Sequence, residues 1–219
     1  MKSLLAKNLS RKAKHFRTEK QKIQIMFREK ISNLREAWKR EEVRSISRRY
    51  FISNGFDGTL TAVGIAVGSY LSGVPDGLTV FKVAMGGAVG LATSGVWSVW
   101  EIEKAEKLAE LHDLEKSMLE ELEGTKVHEE KKQGRVINAF MSGSGPLIGI
   151  LLPSSVFLLE EAFLTMFQAT IGAIAVGVTV LFAFGMYMAN ISEQKWWKAG
   201  IRMGLAGLVV ALLNILLPG

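Results

Sequence analysis

The chain has 219 residues, and the 48% that are hydrophobic are gathered into long blocks separated by charged segments. That grouping excludes a single soluble domain and predicts a membrane protein. The absence of cysteine excludes disulfides, thiolate metal sites and a cysteine nucleophile, and the formal net charge of +6 is concentrated in a few segments that indicate topology.

Residues 1–49 are too charged for a cleavable signal peptide. Apolar residues recur in them at helical spacing, which predicts a basic amphipathic helix lying on the anionic lipid surface of the cytoplasmic leaflet. These residues are Ile23, Phe27, Ile31, Leu34 and Trp38. The stripe could instead pack on a partner subunit or on residues 101–135. Nucleic acid is not an expected partner, because the aromatic residues lie on the apolar stripe.

Five apolar blocks are each long enough to cross a bilayer as a helix that rises 1.5 Å per residue. They are Tyr50–Leu71, Thr79–Trp100, Val136–Leu159, Leu164–Ile191 and Ala199–Leu217. The predicted fold class is all-α, a polytopic membrane protein with five transmembrane helices and a helical cytoplasmic insert between spans 2 and 3. The predicted domains are a basic N-terminal segment, spans 1 and 2, an acidic insert, and spans 3 to 5, at residues 1–49, 50–100, 101–135 and 136–219.

Basic residues cluster in 1–49, in 101–135 and around Lys195 and Lys198. Cytoplasmic loops carry such an excess, so these segments are predicted to face the cytoplasm. Residues 72–78, residues 160–163 and the C-terminus then face outward, in an integral protein of the cell membrane.

The first span contains a carboxylate, Asp57, about two turns inside the predicted helix. An ionisable group at that depth is costly and indicates a functional site. Oxygen-bearing and small residues surround it, which is typical of a cation or proton site. They are Asn54, Gly55, Gly58, Thr59 and Thr61. Alternatively, Asp57 lies at the headgroup boundary and pairs with Arg48 or Arg49.

The second span is rich in Gly, Ser and Thr, which predicts that it is buried among other helices. Its helical pattern continues into the insert, where Glu103, Glu106, Glu110 and Asp113 share one face. Four stacked carboxylates repel one another unless a cation such as Mn²⁺ or Fe²⁺ binds them, with His112 or His128 as a further ligand. The alternative is a solvated helix whose apolar stripe packs against a symmetry mate, through Leu111, Leu114, Met118 and Leu122.

The third span contains Pro146 and Pro153 among several glycines. Broken helices of this kind free carbonyl groups that can coordinate ions. Equally, the prolines could only shape helix packing. The pair Glu160 and Glu161 follows at the outer surface, where it could receive departing cations or be merely hydrated.

Three stretches resemble the vacuolar iron transporter family, the iron and manganese transporters of plant and fungal vacuoles and their prokaryotic relatives. They are FDGTLTAVGIAVG at Phe56–Gly68, GLATSGVWSVWEIE at Gly90–Glu103 and SGSGPLIGILLP at Ser142–Pro153. The similarity extends over about residues 48–219. The chain resembles a divergent prokaryotic-type member, because Val99 and Ile102 replace the Met and Gly of the family's Ser-Met-Ala-x-Gly-Glu.

The resemblance implies a homodimer with ions crossing near its axis. It also implies that glutamates of the cytoplasmic region capture Fe²⁺ or Mn²⁺ and pass it to the membrane site in exchange for protons. Asp57 matches the family's pore aspartate, and Glu103 and Glu106 fall where its first metal-capturing carboxylates begin.

We therefore expect a divalent metal cation transporter for iron or manganese, with proton-coupled export from the cytoplasm. The expected metal ligands are Asp57, Glu103, Glu106, Glu110 and Asp113, and Asp57 also carries the exchanged proton. No permanent cofactor is expected, because Fe²⁺ or Mn²⁺ would be cargo. The expected partners are divalent metal ions, protons, an anionic lipid surface and a second copy of the chain.

The alternative is a membrane-anchored interaction protein, whose helices in 1–49 and 101–135 recruit a cytoplasmic partner. An enzyme is not expected, because the sequence contains no HExxH, P-loop or GxSxG motif and no plausible Ser/His/Asp constellation.

Overall fold

A computed structural model describes residue 22 and residues 24–26, 28–118 and 126–216, without the side chains of 126–130 and 161. Some residues of the sequence predictions lie outside this description, either entirely or by their side chains. They are Ile23, Phe27, Leu122, His128, Glu161 and Leu217.

The described residues are almost entirely helical and include no strand. Residues 28–39 form helix α1. Six further α-helices follow, with a 3₁₀ helix at Ser155–Leu159 between α4 and α5. They are α2 (Glu41–Leu71), α3 (Gly77–Met118), α4 (Lys126–Ser154), α5 (Glu160–Phe163), α6 (Met166–Ile191) and α7 (Trp196–Leu216). The all-α prediction is confirmed.

Four helices are long and apolar enough to cross a membrane, at Gly77–Met118, Lys131–Leu159, Met166–Ile191 and Trp196–Leu216. Helix α2 has 31 residues, which is ample length, but the polar residues around Asp57 lower its hydropathy. The fifth span therefore remains a prediction, as do the separate cytoplasmic insert and the predicted domain boundaries. Residues 101–118 continue α3 without a break.

Helix α4 lies at the centre of the fold, where it packs extensively against both α2 and α3. Small residues bring the backbones of α2 and α4 close together. A Cβ atom added to Gly58 would lie 2.8 Å from Cα of Pro146, and one added to Gly149 would lie 2.9 Å from Oγ1 of Thr59. Real Cβ atoms do not approach so closely, so only glycine fits at either position.

The membrane part of α3 has the opposite character. Only 17% of its most apolar window is buried, and small residues lie on the exposed surface at Gly86, Gly90, Thr93 and Ser94. Within one chain, the prediction that this helix is buried among other helices is wrong. Its small-residue surface is open to another helix.

We predict that Gly58→Ala destabilises the protein by about 1–3 kcal/mol, because the added methyl group meets the backbone of Pro146 and forces the helices apart. The measurement is the thermal unfolding midpoint in detergent. The matched control is Gly68→Ala on the same helix, where a Cβ would meet nothing within 4 Å, and we expect no loss there. Equal midpoints for the two variants would contradict the close contact.

Candidate functional site

Polar side chains are buried where α2 packs against α4. The hydroxyl of Ser47 donates to Oδ1 of Asn138 at 2.6 Å, and both residues are at most 1% exposed. Two turns deeper, Nδ2 of Asn54 donates to Oγ of Ser142 at 2.6 Å. Buried polar groups need such partners because their water has been removed. We call Ser47, Asn138, Asn54 and Ser142 the polar strip.

Proline at position 146 explains how the polar strip is built. Pro146 has no backbone N–H, so it leaves the carbonyl of Ser142, four residues earlier, without its helical partner. Nδ2 of Asn54 lies 3.2 Å from that carbonyl and donates to it. The hydroxyl of Ser142 in turn donates to the carbonyl of Gly95 on α3 at 2.9 Å. The carbonyl that the proline frees therefore joins α4 to α2, and Ser142 extends the link to α3.

Sequence reasoning named Asn54 and Asn138 but missed Ser47 and Ser142. Ser47 lies seven residues before Asn54, and Ser142 lies four residues after Asn138. These spacings place each pair on one helix face, and that periodicity was the available signal.

Asp57 lies one turn deeper than Asn54 on α2, and its residue surface is exposed. The hydroxyl of Thr61 donates to the backbone carbonyl of Asp57 at 2.8 Å. Among the residues that the structure describes, no ion pair joins the Asp57 carboxylate to Arg48 or Arg49. Arg49 instead lies over the ring of Tyr50, 5.7 Å from its centroid. In a single chain the carboxylate therefore lies on an open helix surface.

Glu103 is the most buried of the predicted ligands, at 1% exposure. Its carboxylate lies beside Tyr50 of α2, and its Oε2 atom has no hydrogen-bond partner within the described part of the chain. A buried carboxylate oxygen without a donor is costly and needs a proton, a cation or a water molecule.

The four carboxylates of the predicted acidic face have different surroundings. Glu103 is buried, whereas Glu106 and Asp113 are exposed. Glu110 is paired with two lysines, Lys131 of α4 and Lys107 of α3. Among the described side chains, no group of three or more His, Asp or Glu residues is arranged to hold a metal ion. One chain therefore does not assemble these carboxylates into a common site.

The ion pairs shift the pKa values of their members. The hydrogen bond from Lys131 lowers the pKa of Glu110 below its ordinary value of 4.5, against an opposing effect of burial, and Lys107 adds to the lowering. Burial alone would lower the pKa of Lys107, but its contacts with Glu42 and Glu110 outweigh it and raise that pKa above 10.5. Nζ of Lys107 lies 2.7 Å from Oε1 of Glu42 on α2, so this lysine connects α2 to α3.

At the opposite end of the fold, Glu160 has a structural contact. Its Oε2 atom accepts a hydrogen bond from the backbone N–H of Gly77 at 3.1 Å. Gly77 is the first residue of α3, and helix starts carry unpaired N–H groups that a carboxylate can satisfy. This contact favours a capping role for Glu160 over the reception of departing cations.

We predict that Glu110→Gln lowers the free energy of unfolding at pH 7 by about 0.2–1 kcal/mol, the range for largely exposed pairs. Because the folded pKa of Glu110 is depressed, its contribution is present above pH 4.5 and disappears as the pH falls through the folded pKa. The difference between wild type and variant should therefore shrink below that pH. Thermal unfolding across an acid series measures it.

The control for this prediction is Glu106→Gln, which makes the same chemical change one turn earlier, where the described residues provide no ion pair. We expect a smaller effect of pH on that variant's stability. A wild-type advantage over Glu110→Gln that persists undiminished at low pH would contradict the assignment.

Comparison with known proteins places the chain among relatives. It is 27% identical, over 168 residues, to the uncharacterized protein MJ0645 of Methanocaldococcus jannaschii, an alignment that covers 75% of this chain and 85% of the relative. No solved structure matches.

The family model described as the VIT family, which corresponds to the vacuolar iron transporters, matches residues 97–217. This match begins near the end of the membrane part of α3 and extends through α7, so it includes Glu103 and the polar residues of α4 but not Asp57. It covers more than half of the chain. The chain therefore belongs to the VIT family, whose members are membrane transporters of metal ions and not enzymes.

Proposed function

We propose that this protein exports Fe²⁺ or Mn²⁺ from the cytoplasm across the cell membrane in exchange for protons, with Asp57 as the ion-binding carboxylate within the membrane. The observation that carries the proposal is the position of Asp57, exposed on a single chain and deep in a helix that packs against three membrane-spanning neighbours. Family membership supports the metal ion as cargo.

The proposal requires that α2 crosses the membrane as a fifth span. Its central position supports this, because α2 packs along α4 and also contacts α6 and α7. Its turns after Asp57 are apolar and bury Ala62, Val63, Ala66 and Val67. With α2 as a span and the basic segments inside, the N-terminus is cytoplasmic and the C-terminus lies outside.

A second copy of the chain would resolve the exposure of Asp57. A charged side chain facing lipid costs about 2.5–3.5 kcal/mol on insertion scales, and one chain leaves this carboxylate uncovered. The small-residue surface of α3, which includes Gly86 and Gly90, is also exposed and suits close helix packing. We propose a homodimer that covers both surfaces and brings the two Asp57 carboxylates to a shared ion path.

Glu103 is proposed as the ligand that passes the ion from the cytoplasmic side toward Asp57. Its unpartnered Oε2 atom supports this role. Tyr50, beside Glu103, lies seven residues and therefore about 10 Å along α2 from Asp57. Glu106 and Asp113 are exposed and free to capture an ion in the second copy's presence, whereas Glu110 would have to leave Lys107 and Lys131 first.

The exchange itself follows from competition at one carboxylate. A metal ion and a proton compete for the same oxygen atoms, so binding of M²⁺ to Asp57 releases any proton held there. Protonation from the outside would then release the ion. Asn at this position keeps the size and one oxygen but carries no negative charge and cannot exchange a proton.

We predict that Asp57→Asn abolishes proton-driven Mn²⁺ or Fe²⁺ transport in proteoliposomes. The matched control is Asp76→Asn in the turn before α3, where the carboxylate of Asp76 accepts hydrogen bonds from the backbone N–H and hydroxyl of Thr79. Asn can keep a helix-start contact of this kind, so we expect transport near the wild-type rate. Wild-type transport by Asp57→Asn would sink the mechanism.

The interaction-protein alternative has one observation in its favour, since the described carboxylates of a single chain form no metal-binding group. Titration of the purified protein with Mn²⁺ separates the two functions. For the transporter we predict saturable binding that Glu103→Gln weakens by about 10–100-fold, the range for disturbed metal sites. No saturable binding, together with capture of a partner that survives this substitution, would favour the interaction protein.

A further inference from the structure

A small basic cavity lies between the cytoplasmic end of α3 and the first turns of α4. Its volume is about 40 Å³, on a scale where one water molecule needs about 10–15 Å³. Five cationic side chains line it, with Leu108 and Leu111 as its apolar wall. They are Lys104, Lys107, Lys131, Lys132 and Arg135. No carboxylate belongs to this lining, although the sequence predicted an acidic surface in the same region.

The nearest carboxylates lie to one side of the cavity and bind only part of this charge. Glu110 pairs with Lys107 and Lys131, and Glu42 pairs with Lys107. Lys104 makes no ion pair within the described residues. Arg135 is held with its guanidinium 4.2 Å from the ring centroid of Trp100, and its buried Nε has no hydrogen-bond partner in the part of the chain described.

The cavity lies at the depth of lipid headgroups. Trp100, a residue type that marks the membrane boundary, is one turn from Lys104, about 6 Å along α3. On the membrane side, Trp97 lies on the same face of α3 as Lys104 and is 71% exposed. An anion bound by the lysines would have its charged group in the cavity and an apolar surface directly beneath it.

We propose that this cavity binds a phosphate-bearing anion, held by Lys104, Lys132 and Arg135 beside the ion pairs of Lys107 and Lys131. Phosphate oxygens accept several charge-assisted hydrogen bonds at once, and both lysine and arginine donate them. A divalent metal ion is repelled by five cations, so this site is separate from the proposed metal path. The anion is the headgroup of an acidic phospholipid or free phosphate, which share this chemistry.

The test measures the melting temperature of the purified full-length protein in a neutral detergent. The probes are dioctanoyl phosphatidic acid, dioctanoyl phosphatidylcholine and inorganic phosphate, each titrated separately. We expect a saturable rise with phosphatidic acid and a weaker one with phosphatidylcholine. An equal response to inorganic phosphate identifies a free anion as the ligand, and a response to the lipid alone identifies a headgroup.

Two variants locate the effect. Lys104→Gln with Lys132→Gln should weaken the apparent affinity by about tenfold, as expected for loss of one charge-assisted hydrogen bond or more. Leu108→Glu places a carboxylate in the lining without removing any ion pair, and should abolish the response. The matched control, Lys195→Gln with Lys198→Gln, removes the same charge near α7 and should respond as wild type does.

The proposal is overturned if neither phosphatidic acid nor phosphate raises the melting temperature saturably. It is also overturned if the Lys195/Lys198 control loses as much affinity as the Lys104/Lys132 variant, because the effect would then come from general surface charge. Neither result depends on metal transport.

Discussion

The close contact between α2 and α4 is the constraint on which the rest of the structure depends. Gly58 against Pro146, and Gly149 against Thr59, leave no space for an added Cβ atom, so the two backbones approach to van der Waals distance. Any polar side chain near that line loses its water and has to find a partner in the neighbouring helix. The polar strip satisfies this need, and it connects three helices because Pro146 leaves a carbonyl free for Asn54.

The same contact determines how charge is distributed at the cytoplasmic end. When α4 packs along α3 in the antiparallel direction, the basic residues at its start come opposite the acidic residues of α3. Lys131 then pairs with Glu110, and Arg135 stacks on Trp100. An acidic helix face becomes a mixed surface in which Glu103 alone is fully enclosed. The basic cavity is a further consequence of that packing, since Lys104 and Lys132 are left on the far side of the ion pairs.

Asp57 and Glu103 differ from the other acids because nothing in one chain neutralises them. Glu103 has a buried oxygen without a donor, and Asp57 is open on a helix within the membrane protein's apolar body. Both conditions are costly in isolation and become favourable when a cation, a proton or a second subunit is present. The transport proposal uses the two acids for this reason, and the family match supplies the class of cargo.

The order of apolar blocks was sufficient to predict an all-helical membrane protein, because spanning helices need long apolar runs whatever their neighbours are. The motifs at Gly90–Glu103 and Ser142–Pro153 pointed to the VIT family, which the family match confirms. Helical periodicity also placed four carboxylates on one face. It could not reveal that Lys131 would reach Glu110, that Glu103 would be enclosed, or that Gly86 and Gly90 would remain exposed. Those outcomes depend on which helix lies opposite and at what register, and helix register is decided by the packing of residues far apart in the chain.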